Sequence, residues 1–217
     1  MSRSRAGERP LRGSGPAVRG AGPAVLQREH RGRSRPGERD GAVTRLVSII
    51  GHKNAGKTTL VAALAHEFKR QKRRVGTIKH ASHPIDVDRP GTDSWRHFHE
   101  GNADGVVVAS PDLRVSFERR MDGAGPEELA RRYFMDMDVV IVEGFKMAPI
   151  PKIEVHRREV AKAPLFDPKA PNAEEWLAVV TDDHRFVAPL RVLHFSDTMW
   201  LTVLTALVQE QAKQLTP

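Results

Sequence analysis

The stretch from residue 45 to residue 62, RLVSIIGHKNAGKTTLVA, constrains the fold more than any other part of the chain. An apolar run of strand length leads into GHKNAGKT, which fits G-x-x-x-x-G-K-[ST], and an apolar helix-forming run follows it. Gly51 and Gly56 let the backbone turn tightly, so that successive N–H groups can point at a phosphate. The start of the following helix adds a partial positive charge. We therefore predict a phosphate-binding loop between a buried strand and a helix.

The same motif assigns roles to side chains. Lys57 is expected to reach the β- and γ-phosphates of a nucleotide, and the hydroxyl of Thr58 is expected to bind Mg²⁺. The predicted nucleotide-binding residues of the loop are Gly51, His52, Lys53, Asn54, Ala55, Gly56, Lys57, Thr58 and Thr59.

A second part of the site is predicted at the most apolar strand, Asp138–Val142, which ends at Glu143. Ligands of open parallel sheets gather outside the carboxyl ends of the strands, where the loop also lies. Glu143 could bind Mg²⁺ through water or position an attacking water, and it could also be a plain polar strand terminus.

The remaining chain alternates between strand and helix patterns, which favours a parallel sheet. We predict an α/β fold, a three-layer P-loop NTPase with a mainly parallel central sheet flanked by helices. Gly105–Ala109 (GVVVA) has the pattern of a buried strand and Leu113–Glu118 that of an edge strand. The other predicted strands are 75–79, 152–155, 177–181 and 192–195, and the predicted helices are 57–72, about 93–101, 126–135 and 197–211.

Composition limits the other classes of protein. Residues 1–44 hold ten arginines against four acidic residues, and so most of the net charge of +8, together with eight of the 17 glycines. We predict a disordered tail over 1–44 and one domain over 45–217. Because the rest is nearly balanced in charge and no aromatic platform accompanies its basic run at 69–74, nucleic-acid binding is not favoured. The chain has no cysteine and no apolar run of membrane-spanning length, which favours a cytoplasmic protein without a membrane anchor.

The polar segment 80–104 is too long for a simple connector, which is typical of a functional loop. Three of its acidic residues are of interest: Asp86, Asp88 and Asp93. They could form a switch that senses the γ-phosphate, or they could cap helices and turns. We select Asp93 as a candidate catalytic residue beside Lys57 and Glu143, and Asp88 as a candidate metal ligand beside Thr58 and Glu143.

Other polar residues near these strand ends leave alternatives open. Four histidines lie close together in the sequence, at 80, 83, 97 and 99. They could form a transition-metal site, but ordinary polar residues of a loop are the favoured interpretation. Four residues could contact phosphate or an anionic substrate, or could simply be solvated: Lys79, His80, Lys146 and Lys152. We expect residues 161–175 to form a mobile loop.

Four segments together resemble one family: GHKNAGKTTL, then GTIKH with DVDRPGTDS, then DVVIVEGFK, then PKIEVHR. They are similar to the molybdopterin-guanine dinucleotide biosynthesis adaptor protein B (MobB) family, over residues 45–157 and more weakly to about 207. The resemblance implies a cytoplasmic, dimeric SIMIBI-type P-loop protein that binds GTP and Mg²⁺. It also implies a partner guanylyltransferase that attaches GMP to molybdopterin, completing the molybdenum cofactor.

The chain departs from the usual patterns at three places, the first being residues 1–44, which have no counterpart in the family. Thr92 stands where the family more often has lysine, and no N-K-x-D guanine-reading motif is present. VVTDD at 179–183 offers Asp182 as a positional candidate for reading the base, so the choice of GTP over ATP rests on the resemblance.

Three other functions remain as alternatives to a slow GTPase acting mainly as an adaptor. A metal-delivery GTPase would use the histidines, and a small-molecule kinase would use residues 157–175, with Arg157 and Arg158, as a lid. Nucleic-acid binding would use the arginine-rich tail. For the dimer, sheet extension around Leu113–Glu118 is the mechanism we consider.

Overall fold

The computed structural model describes residues 43–83, 88–119 and 123–216. Almost all of the predicted tail therefore lies outside the described residues. Thr44, which we assigned to the tail, is the first residue of a strand and is fully buried. The elements are β1 (Thr44–Ile50), α1 (Lys57–Arg70), β2 (Val75–Lys79), α2 (Asp93–His99), β3 (Gly105–Ala109), β4 (Arg114–Glu118), α3 (Pro126–Tyr133), β5 (Val139–Glu143), β6 (Lys152–His156), a 3₁₀ turn (Ala173–Glu175), β7 (Trp176–Thr181), β8 (Arg191–His194), α4 (Trp200–Gln211) and β9 (Lys213–Leu215).

The main sheet has seven strands in the order β2-β5-β1-β6-β7-β8, with β9 paired to β1. All neighbouring pairs on the path are parallel, whereas β9 runs antiparallel. On one edge of β1, β6 pairs with Ser48–Ile50 and β9 pairs with Thr44–Leu46. The parallel strands therefore end at one side of the sheet, with β1 and its loop between β5 and β6. The predicted mainly parallel sheet is confirmed.

Helices cover both faces of this sheet. On β5, Ile141 packs with the apolar residues of α1 and α4, among them Leu64 and Leu204, while Val140 packs with Ala130 of α3. This alternation is what a strand buried on both faces requires. Burying one such side chain is worth about 1.5–3 kcal/mol, so the two apolar clusters hold the three layers together.

The predicted role of Gly105–Ala109 as a buried strand is wrong. β3 pairs antiparallel with β4 in a separate two-stranded sheet, and Val107 is 63% exposed. The run GVVVA has the composition of a buried strand, but no layer of the main domain covers it. Asp93, which we considered as a possible cap, does not cap α2; the side chain of Thr92 accepts the hydrogen bond from the N–H of Trp95.

One face of β6 is polar and buried. Lys152, Glu154 and His156 alternate along the strand and are almost fully inaccessible. Glu154 accepts hydrogen bonds from the N–H groups of Leu165 and Phe166, at 2.5 and 2.9 Å. The ring of His156 lies 2.8 Å from the hydroxyl of Thr181 and 3.0 Å from the carbonyl of Ala161, and Lys152 forms an ion pair with Glu175. The segment that we expected to be mobile is therefore attached to the sheet by buried polar side chains.

Among the described residues, no helix is long and apolar enough to cross a membrane.

Candidate functional site

The loop between β1 and α1 has the backbone geometry that its glycines allow. Gly51 has a φ of +143°, and a Cβ there would lie 2.3 Å from the carbonyl oxygen of Val155 on β6. Gly56 has a φ of +99° and directly precedes α1. A side chain at Gly51 would collide with a neighbouring backbone, and one at Gly56 would strain the turn. The loop can therefore lie against β6 and present its N–H groups at the start of the helix.

Lys57 closes this loop on itself. Its ammonium group donates hydrogen bonds to the carbonyl oxygens of Gly51 and His52, at 3.0 and 2.7 Å. Partial burial lowers the pKa of Lys57, the nearby charge of Lys79 acts in the same direction, and the carboxylate of Glu143 opposes both. The lysine is thus held at the mouth of the loop.

Thr58 connects α1 to the end of β5. Its hydroxyl lies 3.0 Å from each carboxylate oxygen of Glu143, and Lys79 at the end of β2 lies 3.1 Å from one of them. The side chain of Glu143 is only 12% exposed. Three predicted site residues from three elements therefore meet at the carboxyl edge of the sheet.

A groove of about 450 Å³ lies over this cluster. Seven of the residues that line it belong to the predicted loop or are Glu143, and the eighth is Lys79 at the end of β2. The lining residues are Lys53, Asn54, Gly56, Lys57, Thr58, Thr59, Lys79 and Glu143. Of the remaining loop residues, Gly51 and His52 supply the carbonyls held by Lys57, and Ala55 is buried in the core below.

The hydroxyl of Thr58 and the carboxylate of Glu143 are hard oxygen donors that face each other. Mg²⁺ is commonly held in proteins by one or two such groups, together with phosphate oxygens and water. The donor set therefore fits Mg²⁺. Among the described residues, no group of three or more histidine or acidic side chains is placed to hold a metal by itself.

The acidic residues of the 80–104 segment do not contribute to the lining described for this groove. Asp88 accepts hydrogen bonds from the N–H of Arg89 and the hydroxyl of Thr92, at 2.9 and 3.1 Å, which stabilises the turn before α2. Asp93 is exposed in the first turn of α2. Asp86 lies outside the described residues.

Asp182 follows β7, two strands away from β1 on the side opposite β5. It accepts hydrogen bonds from the N–H of Arg158 at 2.9 Å and from the guanidinium of Arg157 at 3.5 Å. Burial acts to raise the pKa of Asp182, but the hydrogen bonds from Arg158 and Arg157 outweigh it and the pKa is lowered. Arg157 also stacks on the ring of Phe195, with 3.7 Å between the guanidinium carbon and the ring centroid.

These contacts bear on two expectations for basic residues. Arg157 is held against Phe195 and Asp182, which is not the arrangement of a lid open over phosphates. The expectation that Lys152 could contact an anionic substrate is wrong, because its side chain is fully buried, paired with Glu175 and hydrogen-bonded to two carbonyls.

Sequence reasoning missed Phe145, which follows the tip of β5. Its ring packs on the ring of His80, with centroids 4.4 Å apart and an angle of 31° between the planes. Both residues line a second pocket of about 490 Å³ that also reaches Lys57. The available signal was an aromatic residue two positions after the strand-ending carboxylate, in EGFK.

Known proteins share this arrangement of sequence and fold. The family described as MobB, molybdopterin guanine dinucleotide synthesis protein B, matches residues 46–182. The molybdopterin-guanine dinucleotide biosynthesis adapter protein of Haemophilus influenzae is 37% identical over 139 residues, covering 63% of this chain and 74% of that protein. The adapter protein of Escherichia coli is 33% identical over 118 residues, covering 52% of this chain and 65% of that protein.

Solved structures agree with the fold. The crystal structure of Bacillus subtilis MobB is 25% identical, with a TM-score of 0.59, and the match covers 78% of this chain and 98% of that one. The MobB homologue of Bacillus stearothermophilus is 22% identical, with a TM-score of 0.55 and coverage of 76% and 99%, and this likeness concerns the fold alone. The family match over more than half of the chain, together with the Haemophilus relative, shows that this protein belongs to the MobB family.

Proposed function

We propose that the protein is a GTP-binding adaptor with slow GTP hydrolysis that assists the attachment of GMP to molybdopterin in molybdenum cofactor biosynthesis. The observation that carries the proposal is the meeting of Thr58, Glu143 and Lys79 above the phosphate-binding loop. The relatives from Haemophilus influenzae and Escherichia coli are both named adapter proteins of molybdopterin-guanine dinucleotide biosynthesis.

Different groups in and around the loop bind different parts of a triphosphate. Backbone N–H groups at the start of α1 bind the inner phosphates, as helix N-termini do. Lys57 exchanges its two carbonyl partners for phosphate oxygens, which are stronger acceptors because they are charged. Thr58 and Glu143 would hold Mg²⁺, which would supply positive charge to offset that of the phosphates. Lys79, released from Glu143, can then contact the terminal phosphate.

The expectation of slow hydrolysis comes from the side chains found near the loop. Fast P-loop hydrolases supply an arginine to the transition state or a glutamine that orients water. Arg157, the arginine that we considered for a lid, is held by Asp182 and Phe195. Glu143 and Asp93 remain the candidate residues for positioning water. A protein with these groups is better suited to hold GTP than to turn it over rapidly.

The partners belong to the same proposal. A guanylyltransferase and molybdopterin are the expected partners, and the site of action is the cytoplasm. The hairpin of β3 and β4 exposes apolar side chains, with Val107 at 63%, Leu113 at 62% and Val108 at 44% exposure. A second copy of the chain pairing at this hairpin would cover them and give the homodimer.

Calorimetric titration of the full chain with GTP and then ATP tests the nucleotide part of the proposal. We expect GTP to bind in the presence of Mg²⁺, to bind more weakly in excess EDTA, and to be preferred over ATP. A preference for ATP would instead support phosphoryl transfer to a small molecule. Co-purification with a guanylyltransferase tests the adaptor part of the proposal. If the two proteins form no stable complex in the presence of GTP, that part is contradicted.

A further inference from the structure

A second pocket lies beside the phosphate-binding loop. It has a volume of about 490 Å³, within the usual range of small-molecule sites. Residues at the carboxyl ends of three neighbouring strands form it: Ile50 and Gly51 at the end of β1, His80 and Ser82 after β2, and the segment 144–148 after β5. Lys57 lines both this pocket and the groove over the loop.

The floor of the pocket is a fixed turn. Gly144 has a φ of +100°, and Phe145, which is not a glycine, has a φ of +53°. The hydroxyl of Ser48 donates to the carbonyl of Gly144 at 2.5 Å, and the N–H of Gly144 donates to the carbonyl of Ile49 at 3.0 Å. Strained backbone of this kind persists where surrounding contacts determine it, and it is concentrated at ligand sites.

This turn places an aromatic surface at the pocket. The Phe145 ring packs against the apolar cluster below α3 and against the ring of His80, at 4.4 Å between centroids. The ring therefore cannot rotate freely out of position. A Cβ at Gly144 would lie 3.0 Å from the Cβ of His80, so the close approach of the two segments depends on that glycine. Flat rings bind well to such pre-positioned aromatic groups.

The pocket also carries positive charge. Lys146 and Lys57 both line it, and Lys146 is exposed at its rim. Lys152, the next lysine along the chain, is fully buried in an ion pair and does not contribute. An aromatic floor with two ammonium groups at its edge suits a ligand that joins a flat ring to an anionic group.

The order of strands fixes the place of this pocket relative to a bound nucleotide. The pocket lies on the β2–β5 side of β1, whereas Asp182, the candidate for reading the base, follows β7 on the other side. A nucleotide running from Asp182 to the loop would therefore bring its terminal phosphate, and not its base, toward this pocket.

We propose that the pocket formed by His80, Phe145, Lys146 and their neighbours binds a phosphorylated pterin next to the terminal phosphate of the nucleotide. The assignment rests on the proposed function for the choice of a pterin among flat rings. The pterin ring lies on the exposed ring of His80, which packs on Phe145, and the phosphate is bound by Lys146. Sharing of Lys57 between the two sites makes the binding of either ligand sensitive to the other.

Neopterin monophosphate is a suitable probe, because stacking changes the fluorescence of the pterin ring. The full-length protein, saturated with GDP and Mg²⁺, is titrated with this compound, with unphosphorylated neopterin and with inorganic phosphate. We expect saturable binding of neopterin monophosphate that is roughly tenfold tighter than that of neopterin, since the phosphate adds a charged hydrogen bond. Inorganic phosphate at equal concentration should not displace it.

The variants locate the site. Lys146→Ala and His80→Ala should each weaken neopterin monophosphate roughly five- to tenfold, because one contact is removed in each. Phe145→Leu keeps the apolar packing and should weaken both pterins alike. Two exposed residues elsewhere, in Lys169→Ala and His66→Ala, serve as matched controls and should leave binding unchanged. GDP affinity measured in parallel should stay the same in all five variants.

The outcomes separate this inference from the proposed function. Normal nucleotide binding with no binding of neopterin monophosphate overturns the pocket assignment and leaves the nucleotide site standing. Equal binding by wild type, Lys146→Ala and His80→Ala also overturns it. Competition of neopterin monophosphate with GDP, rather than joint binding, would mean that its phosphate occupies the loop, and the assignment would again fail. Absence of nucleotide binding would instead contradict the proposed function.

Discussion

The hydroxyl of Thr58 lies 3.0 Å from both carboxylate oxygens of Glu143, so the first turn of α1 is connected directly to the end of β5. Lys79 at the end of β2 contacts the same carboxylate. The parallel arrangement of β2, β5 and β1 brings these three ends to one edge, which is why residues far apart in sequence can form one cluster.

Replacement of Glu143 tests whether this cluster serves Mg²⁺. Glu143→Gln preserves the size of the side chain but removes its charge. Loss of a group that binds a metal through water or orients its ligands costs about 10–100-fold in metal affinity. We expect the GTP affinity of the variant to lose most of its dependence on Mg²⁺, measured by titration at several Mg²⁺ concentrations. Glu100→Gln, at the exposed residue that follows α2, is the matched control. An Mg²⁺ dependence in Glu143→Gln equal to that of the wild type would rule out this role.

Lys57→Ala should abolish measurable nucleotide binding while the fold is retained. The ammonium group is predicted to contact two phosphates, and each charged hydrogen bond is worth about 1.5–3 kcal/mol, so the affinity should fall roughly 100-fold or more. Calorimetry measures the binding, and circular dichroism checks the fold. Lys69→Ala, an exposed lysine at the other end of α1, controls for loss of charge. Undiminished GTP affinity in Lys57→Ala would refute the site assignment.

The elements that the sequence predicts well are those whose residues determine their own structure. The run from β1 through the loop to Lys57 follows from glycines and apolar spacing, and β2 was predicted at its observed bounds, Val75–Lys79. The strand tip at Glu143 follows from the apolar run before it. In these places local pattern and global fold agree.

The errors concern what covers an element, which local pattern does not contain. GVVVA is apolar enough for a buried strand, yet β3 lies in an exposed hairpin. Lys152 in KIEVH has the appearance of a lysine open to solvent or to an anion, yet all five residues are buried because the following segment covers the polar face of the strand. β9, with only Lys213–Leu215, is too short to give a pattern and depends on distant pairing with β1. The aromatic surface at Phe145 depends on a positive φ that the sequence EGFK does not reveal.

Glu154 should make stability depend on pH. Burial raises the pKa of this carboxyl, although the N–H groups of Leu165 and Phe166 oppose the shift. The folded protein therefore holds this proton at a higher pH than the unfolded chain does. The contribution of Glu154 to stability is then largest below its ordinary pKa and falls as the pH rises through the raised pKa, where the buried group must ionise.

Glu154→Gln removes this titration and keeps an acceptor, whereas Glu154→Ala leaves two N–H groups without one. We expect the wild type to lose stability relative to Glu154→Gln as the pH rises. The unfolding free energy of each protein is measured by urea denaturation from about pH 4 to pH 8. Glu154→Ala should be about 1–3 kcal/mol less stable than Glu154→Gln at every pH, because neither variant titrates at this position. Exposed Glu159→Gln is the control, and parallel pH profiles for wild type and Glu154→Gln would contradict the raised pKa.

Asp182 is the residue through which the proposed preference for guanine can be tested. Hydrogen bonds from Arg158 and Arg157 more than offset the effect of burial and lower its pKa, so the side chain is a carboxylate at neutral pH. A carboxylate accepts from the two N–H groups on one edge of guanine, whereas adenine presents an acceptor there. Asp182→Asn has one acceptor and one donor, which match the corresponding edge of xanthine. We therefore expect GTP affinity to fall roughly tenfold or more and xanthosine triphosphate affinity to rise, as judged by calorimetry.

The neighbouring Asp183→Asn should change neither affinity, because Asp183 accepts a hydrogen bond from the N–H of Arg185 within its own turn. If Asp182→Asn retains the wild-type order of GTP, xanthosine triphosphate and ATP, the base is recognised by other residues, and the assignment of Asp182 fails while that of the phosphate-binding loop is unaffected.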